Sequence, residues 1–246
     1  MKLFHKALSA VSMLIEGRFD QFWKRLKKKL YYDSTAYGLR RDLAAPVQPR
    51  RPRIDIEVRP FREEDAAILF DPSGLAEAEV RELTQRKALV RAGIPTCWVG
   101  TAPGNIPCYM QWLFSSAQNG AVENYFEGIF PRLHEDECLL EDAYTAKSHR
   151  GMGVMSWAMA RIAEQAAKLN ARWVITFCNT TNIASLKGCV GAGFAPYVVR
   201  RERWILFHHT VTFTPLPPGT PLPFQVPQTS VPLPEIPPLG AGTLPA

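Results

Sequence analysis

Residues 139–194 constrain this chain more than any other stretch. They read in order as strand, glycine turn, helix, strand and helix. Residues 139–145 mix apolar and aromatic side chains with Glu141 and Asp142, as a strand carrying chemistry does. His149-Arg150-Gly151-Met152-Gly153 then turns the chain into a helix over 153–170, whose apolar stripe is Met155, Ala158, Met159, Ile162, Ala166 and Leu169, with Asn170 as its C-terminal cap. A turn this rich in small residues leaves the first N–H groups of the helix bare. Together with the positive end of the helix dipole and an arginine at the lip, they attract anionic oxygens such as those of a pyrophosphate. Taken alone, Arg-Gly-x-Gly is equally a tight strand-to-helix turn with no ligand.

The context favours the ligand. Arg150, Gly153 and Met155 follow a pattern of Arg/Gln-x-x-Gly-x-Gly/Ala, and some thirty residues on come Asn182 and Ser185 as Asn-x-x-Ser, then Gly193-Phe194. In order and spacing the segment resembles the GCN5-related N-acetyltransferase (GNAT) family. Three expectations come from that resemblance. The cofactor is acetyl-CoA, or another acyl-CoA, as co-substrate. Ala143 and Thr145 offer backbone pairing to its pantetheine arm, the amides of Arg150, Gly151, Met152, Gly153, Val154 and Met155 hold its pyrophosphate, and Asn182 and Ser185 lie along the arm. The fold is α/β (α+β), with a mixed, largely antiparallel central sheet flanked by helices. Met155 departs from the pattern, standing where glycine or alanine is usual.

Acyl transfer to an amine needs a base for the ammonium proton and an acid for the leaving thiolate. By resemblance to diamine-type members, Glu141, nine residues before Arg150, is the candidate base. Strand alternation lets only one of Glu141 and Asp142 face the acceptor. The acid position, a tyrosine in many family members, is Cys189 here, with Ser185, Tyr197 or water as substitutes. Glu123, Glu141 and Asp142 favour a cationic acceptor if they line the cleft. The acceptor expected is a primary amine of a small molecule or an amino sugar. Met155 and Cys189 keep open a module that binds acyl-CoA without turnover.

Charge is unevenly placed. Residues 1–53 hold thirteen Lys/Arg against four Asp/Glu, and the remainder sixteen against nineteen. Phe4, Leu8, Val11, Ile15, Phe19, Phe22, Leu26 and Leu30 recur at helical steps, and Lys24, Arg25, Lys27, Lys28 and Lys29 make the end of that helix basic. Such a helix packs on the domain or on a sister copy in a homodimer, or lies on an anionic membrane surface, which would make the protein a membrane-surface acyltransferase. A single basic stripe without a nucleic-acid fold argues against nucleic acid. Five cysteines without zinc spacing point to a reducing cytoplasm and no metal, with the inner face of the membrane as the peripheral alternative.

Three regions follow: a basic helix and linker over 1–53, the acetyltransferase domain over 54–213, and a disordered tail over 214–246 with eleven prolines. Within the domain the pattern gives an edge strand over 54–61 and a helix over 74–92. It then gives a hairpin of 96–101 with 107–116, a helix or loop over 122–133, a buried strand over 172–178 and a helix over 183–192. Two closing strands are set around Arg200–Arg203 in 195–213.

Overall fold

A computed structural model of the chain describes residues 19–94, 96–217 and 220–223. The expected helix upstream of Phe19 and the tail beyond Pro223 lie outside the described residues. Helix α1 (Phe19–Leu30) leads into strand β1 (Tyr31–Asp42). After β2 (Glu57–Pro60) come α2 (Ala66–Leu69), α3 (Glu77–Arg91) and the hairpin β3 (Cys97–Ala102) and β4 (Ile106–Ser115). Helix α4 (Asn119–Tyr125) precedes β5 (Glu137–Thr145), and α5 (Val154–Gln165) precedes β6 (Trp173–Asn179). Helix α6 (Ile183–Gly191), β7 (Ala195–Ile205) and β8 (His208–Pro215) close the order.

The strands form one sheet in the order β2-β3-β4-β5-β6-β1-β7-β8, antiparallel at every junction except β5–β6. This is the mixed, largely antiparallel sheet flanked by helices that the family resemblance implied. One face packs on α5 and α6 through Leu39, Leu113, Leu140, Met159, Ile162 and Leu186. The other packs on α2, α3 and α4 through Leu69, Leu89, Val99, Trp112, Phe114, Val122 and Ile175. Asn170 caps its helix in the left-handed region (φ 59°), as expected.

Two readings need correction. Residues 31–42 do not belong to the helix-and-linker region outside the sheet: β1 sits inside the sheet, Leu39 is fully buried, and the strand pairs with both β6 and β7. Its charged end hid it, because Arg40, Arg41 and Asp42 break the apolar alternation of a buried strand. The fold supplies their partners. Buried Arg41 donates to the Ala160 carbonyl (3.0 Å) and pairs with Glu164 (3.4 Å), Asp42 pairs with Arg172 (3.2 Å), and Arg40 stacks on Trp173 (4.0 Å). Secondly, Arg200–Arg203 is not the closing turn. It lies within β7, and the hairpin turns at Leu206-Phe207.

Gly38 shows how tightly β1 is held. A Cβ there would stand 2.4 Å from Val198 Cγ1 and 2.8 Å from Phe177 Cε1. Gly38→Ala is therefore expected to cost about 1–3 kcal/mol of stability, read as a lower urea midpoint at unchanged slope.

Candidate functional site

Strands β5 and β6 pair only over Glu137–Leu139 with Trp173–Ile175. Beyond that they diverge, although β4 stays paired to β5 as far as Thr145 and β1 to β6 as far as Asn179. The sheet therefore opens between two strands that are each held on their outer side. A cavity of about 180 Å³ occupies the opening. Met155, Met159, Cys178 and Cys189 line it from the α5/α6 face, and Arg86, Glu141, Asp142 and Phe177 from the side facing α3.

At the opening the amide of Phe177 has no strand partner, and it donates to Glu141 Oε1 at 2.6 Å. Thr176 Oγ1 stands 3.5 Å from the same oxygen. Burial pushes the Glu141 carboxyl up to about 8; the Phe177 N–H and the Arg200 charge pull the other way, and neighbouring Asp142 raises it further. Such a carboxylate is poised to take a proton near neutral pH.

Alternation along β5 fails at this point. Trp112 faces Glu141 and Met110 faces Tyr144, so β5 carries one extra residue, and Asp142 takes up the bulge at φ 59°. As a result Glu141 and Asp142 both line the cavity, where strict alternation allowed only one. Asp142 lies 3.7 Å from Arg86 Nε. Its carboxyl is raised, by burial first, with Arg86 opposing. Glu123 is exposed on α4 and does not line the cavity.

The glycine turn has the shape the sequence implied. Gly151 and Gly153 adopt φ 75° and 83°, and α5 starts at Val154 with no side chain capping it, so its first amides are open to an anion. On its other side the turn is covered, because Arg53 N–H donates to the Met152 carbonyl (2.9 Å) and Pro52 Cα lies 3.3 Å from where a Gly153 Cβ would be. The end of the extended 46–53 segment is thus docked on the turn, while Val47 packs at Gly193. Met155 fits because Gly188 makes room: a Cβ at 188 would sit 2.6 Å from Met155 Sδ. Asn182 caps α6 by accepting from the Ser185 amide (3.1 Å), and both residues line the cavity.

Helix α3 reaches across to this turn through residues that sequence reasoning missed. Arg86 donates to the carbonyls of Asp142 (3.2 Å) and Ala143 (3.3 Å). Arg150 donates to the Thr145 carbonyl (3.1 Å) and pairs with Glu79 (2.5 Å). Nothing local in the sequence marks Glu79 or Arg86, whose partners lie 71 and 56 residues away. The carbonyls of Ala143 and Thr145 thus already accept from Arg86 and Arg150, each with a second lone pair left for an arm pairing along β5.

Cys189 is buried against the cavity. Its thiol is held well above its ordinary value, first by contact with Cys178, then by burial and the Glu141 charge. Delivering a proton from it to a leaving thiolate of pKa about 8.5 is uphill, which opposes an acid role. Tyr197 is half-buried on the α3 side and does not line the cavity.

No family model and no curated protein matches the chain. Among solved structures it is similar to the GCN5-related glucosamine N-acetyltransferase region of a fungal multi-domain GH3 β-N-acetylglucosaminidase, at 13% identity and TM-score 0.50 over 76% of this chain and 22% of that one. A functionally unknown conserved protein from Staphylococcus epidermidis is 9% identical (TM-score 0.49, 74% of this chain and 65% of that one). A GNAT-family acetyltransferase from Colwellia psychrerythraea is 13% identical (TM-score 0.43, 78% and 59%). Each match therefore spans less than two thirds of the other chain. With the sheet parted between its two parallel strands and a glycine turn leading from the first of them into α5, the chain has the fold of the GCN5-related N-acetyltransferases.

Proposed function

We propose that the chain is an acyl-CoA-dependent N-acyltransferase that moves an acetyl group directly onto the primary amine of a small molecule or an amino sugar, with Glu141 as general base. The observation that carries this reading is the Glu141 carboxylate, raised to about 8 where the sheet opens beside the glycine turn.

The residues present fit the donor. The uncapped first turn of α5 and the glycines at 151 and 153 would hold its pyrophosphate, Arg150 would add a charged donor, and Asn182 and Ser185 would border the arm. The donor supplies the acyl group as a thioester. Glu141 takes the proton of the bound ammonium, so that the amine lone pair is free to attack, and Asp142 beside it favours a cationic acceptor. The bulge that brings both carboxylates to one cavity keeps the second available for recognition while the first titrates. Because Cys189 holds its proton too tightly, the leaving thiolate takes its proton from solvent or from protonated Glu141. Amino sugars are among the acceptors in view because glucosamine is named for the fungal region of the same fold.

Glu79 competes for Arg150 in this scheme. Its carboxyl is held below the ordinary range chiefly by Arg150. Glu79→Gln is expected to tighten acetyl-CoA about two- to fivefold by calorimetry, in keeping with the modest strength of a solvent-facing ion pair.

Two measurements test the reading. Acetyl-CoA should bind the full chain in calorimetry, and thiol release should then appear with one or more members of a panel of amines and amino sugars. Failure to bind would sink it. Binding without release from any amine would favour a module that binds acyl-CoA without turnover, the reading to which the tightly held Cys189 proton lends support.

A further inference from the structure

The β7–β8 hairpin turns through two residues, Leu206 (φ 46°) and Phe207 (φ 68°), which are 73% and 55% exposed. Two successive left-handed residues suit Asn-Gly or Asp-Gly in such a turn, and bulky apolar side chains are rare there. The backbone has a use for this shape: the amides of Leu206 and Phe207 donate to the carbonyls of Leu30 (2.9 Å) and Lys29 (2.7 Å), satisfying the end of α1. An Asn-Gly turn would donate the same two amides. The fold therefore accounts for the conformation of the turn but not for its leucine and phenylalanine.

The tip is not isolated. Leu30 (39% exposed), Tyr31 (70%) and Ile205 (41%) adjoin it through the Tyr31–Ile205 strand pair and the two hydrogen bonds to α1. Lys27, Lys28 and Lys29 form the last turn of α1. Lys27 and Lys28 are exposed, although Lys28 also pairs with Glu202 (3.5 Å) and lies over Tyr32 (4.3 Å), and half-buried Lys29 lies over Trp204 (5.8 Å). Upstream the sequence continues the helical apolar spacing at Ile15, Val11, Leu8 and Phe4. Among the described residues no helix is long and apolar enough to cross a membrane.

We propose that the tip of the β7–β8 hairpin and the end of α1 form one surface that docks on an anionic lipid bilayer, with Leu206 and Phe207 entering the headgroup region and the lysines of α1 meeting the lipid charge. Charge and shape select this occupant. Exposed apolar side chains at the tip, together with the exposed Lys27 and Lys28 at the end of α1, match the layering of an anionic interface, which is apolar below and negative at the surface. The topology also sets the orientation. Strand β1 runs from Tyr31 to Ala36, where it pairs with Asn179 at the end of β6, so the tip stands about 16 Å beyond that pair at about 3.3 Å per residue. Asn179 lines the cavity, so the docking tip and the cavity lie at the same end of the sheet. If the transferase reading holds, acceptors at the membrane surface come within reach, but docking itself does not depend on that reading.

The test is sedimentation of the full chain with vesicles of phosphatidylcholine alone and of phosphatidylcholine with 30 mol% phosphatidylglycerol (about one lipid in three anionic,). Wild type should bind the anionic vesicles, less tightly as salt rises, and the neutral ones weakly. Leu206→Asn with Phe207→Gly installs the residues that the turn prefers, so the melting temperature should hold or rise while anionic-vesicle binding falls at least about tenfold. Lys27, Lys28 and Lys29 changed to Gln should remove the salt dependence. Wild type that fails to bind, that binds neutral vesicles equally, or that keeps its affinity in the Asn-Gly variant would overturn the proposal. So would a dimer in sedimentation velocity that the Asn-Gly variant converts to monomer, since the patch would then belong to a second copy of the chain.

Discussion

Glu141→Gln is expected to lower kcat/KM about 10²- to 10⁴-fold, the range for loss of a general base, while leaving acetyl-CoA affinity within about twofold. The pH profile makes this specific. With the carboxyl raised to about 8, wild-type kcat/KM should rise about tenfold per pH unit below that value and level off above it, because only the ionised form accepts the proton. The variant should have no such limb. Stability should move in the opposite sense. An acid whose folded pKa lies above its ordinary value near 4.5 binds its proton more tightly when folded. That contribution is complete below about pH 4.5 and is lost as the pH climbs toward 8. The glutamine carries no buried charge, so the melting temperature of Glu141→Gln should match wild type near pH 4.5 and exceed it above pH 8. A variant inactive at every pH but no more stable at high pH would mean that the folded carboxyl is not raised and that Glu141 is ionised throughout. Full activity in Glu141→Gln would falsify its role as base.

Arg150→Ala combined with Gly153→Glu is expected to weaken acetyl-CoA binding at least about 100-fold. One charge-assisted donor accounts for roughly tenfold to a hundredfold, and a carboxylate placed at the open amides of α5 repels the pyrophosphate and caps those amides itself. Gly153 is also the wrong place for a side chain, since it holds φ 83° and a Cβ would stand 3.3 Å from Pro52 Cα. Far-UV circular dichroism should confirm that the variant stays folded. Arg150→Ala alone tests the charge separately, because it also releases Glu79 at the lip of the turn. Calorimetry showing wild-type affinity in the double variant would mean that the turn only joins β5 to α5.

The two predictions rest on residues that were legible to different degrees. The turn was readable because its chemistry is local: Gly151 and Gly153 stand where the backbone enters the left-handed region, and Arg150 is adjacent in sequence. Glu141 was readable as a carboxylate on a strand, but its raised pKa was not. That value depends on burial, the Phe177 amide and Arg200, which come from β6 and β7. The contacts of Arg86 and Glu79 with this region were invisible, because α3 meets β5 and the turn only through the tertiary fold.

By itself the sequence determined the strand–turn–helix–strand–helix unit and the helices and hairpin around it, because helical and strand periodicities and glycine turns are encoded over a few residues; the mixed sheet followed only from the family resemblance that unit carries. Only the tertiary structure decided that residues 31–42 complete the sheet between β6 and β7, since Arg41 and Asp42 become acceptable in a buried strand only beside Glu164 and Arg172. It also decided that a one-residue bulge at Asp142 brings two acidic side chains to one cavity, against the alternation of an ideal strand. Both outcomes depend on partners about thirty or more residues away in the chain, and a residue's partner, unlike its local periodicity, exists only once the chain has folded.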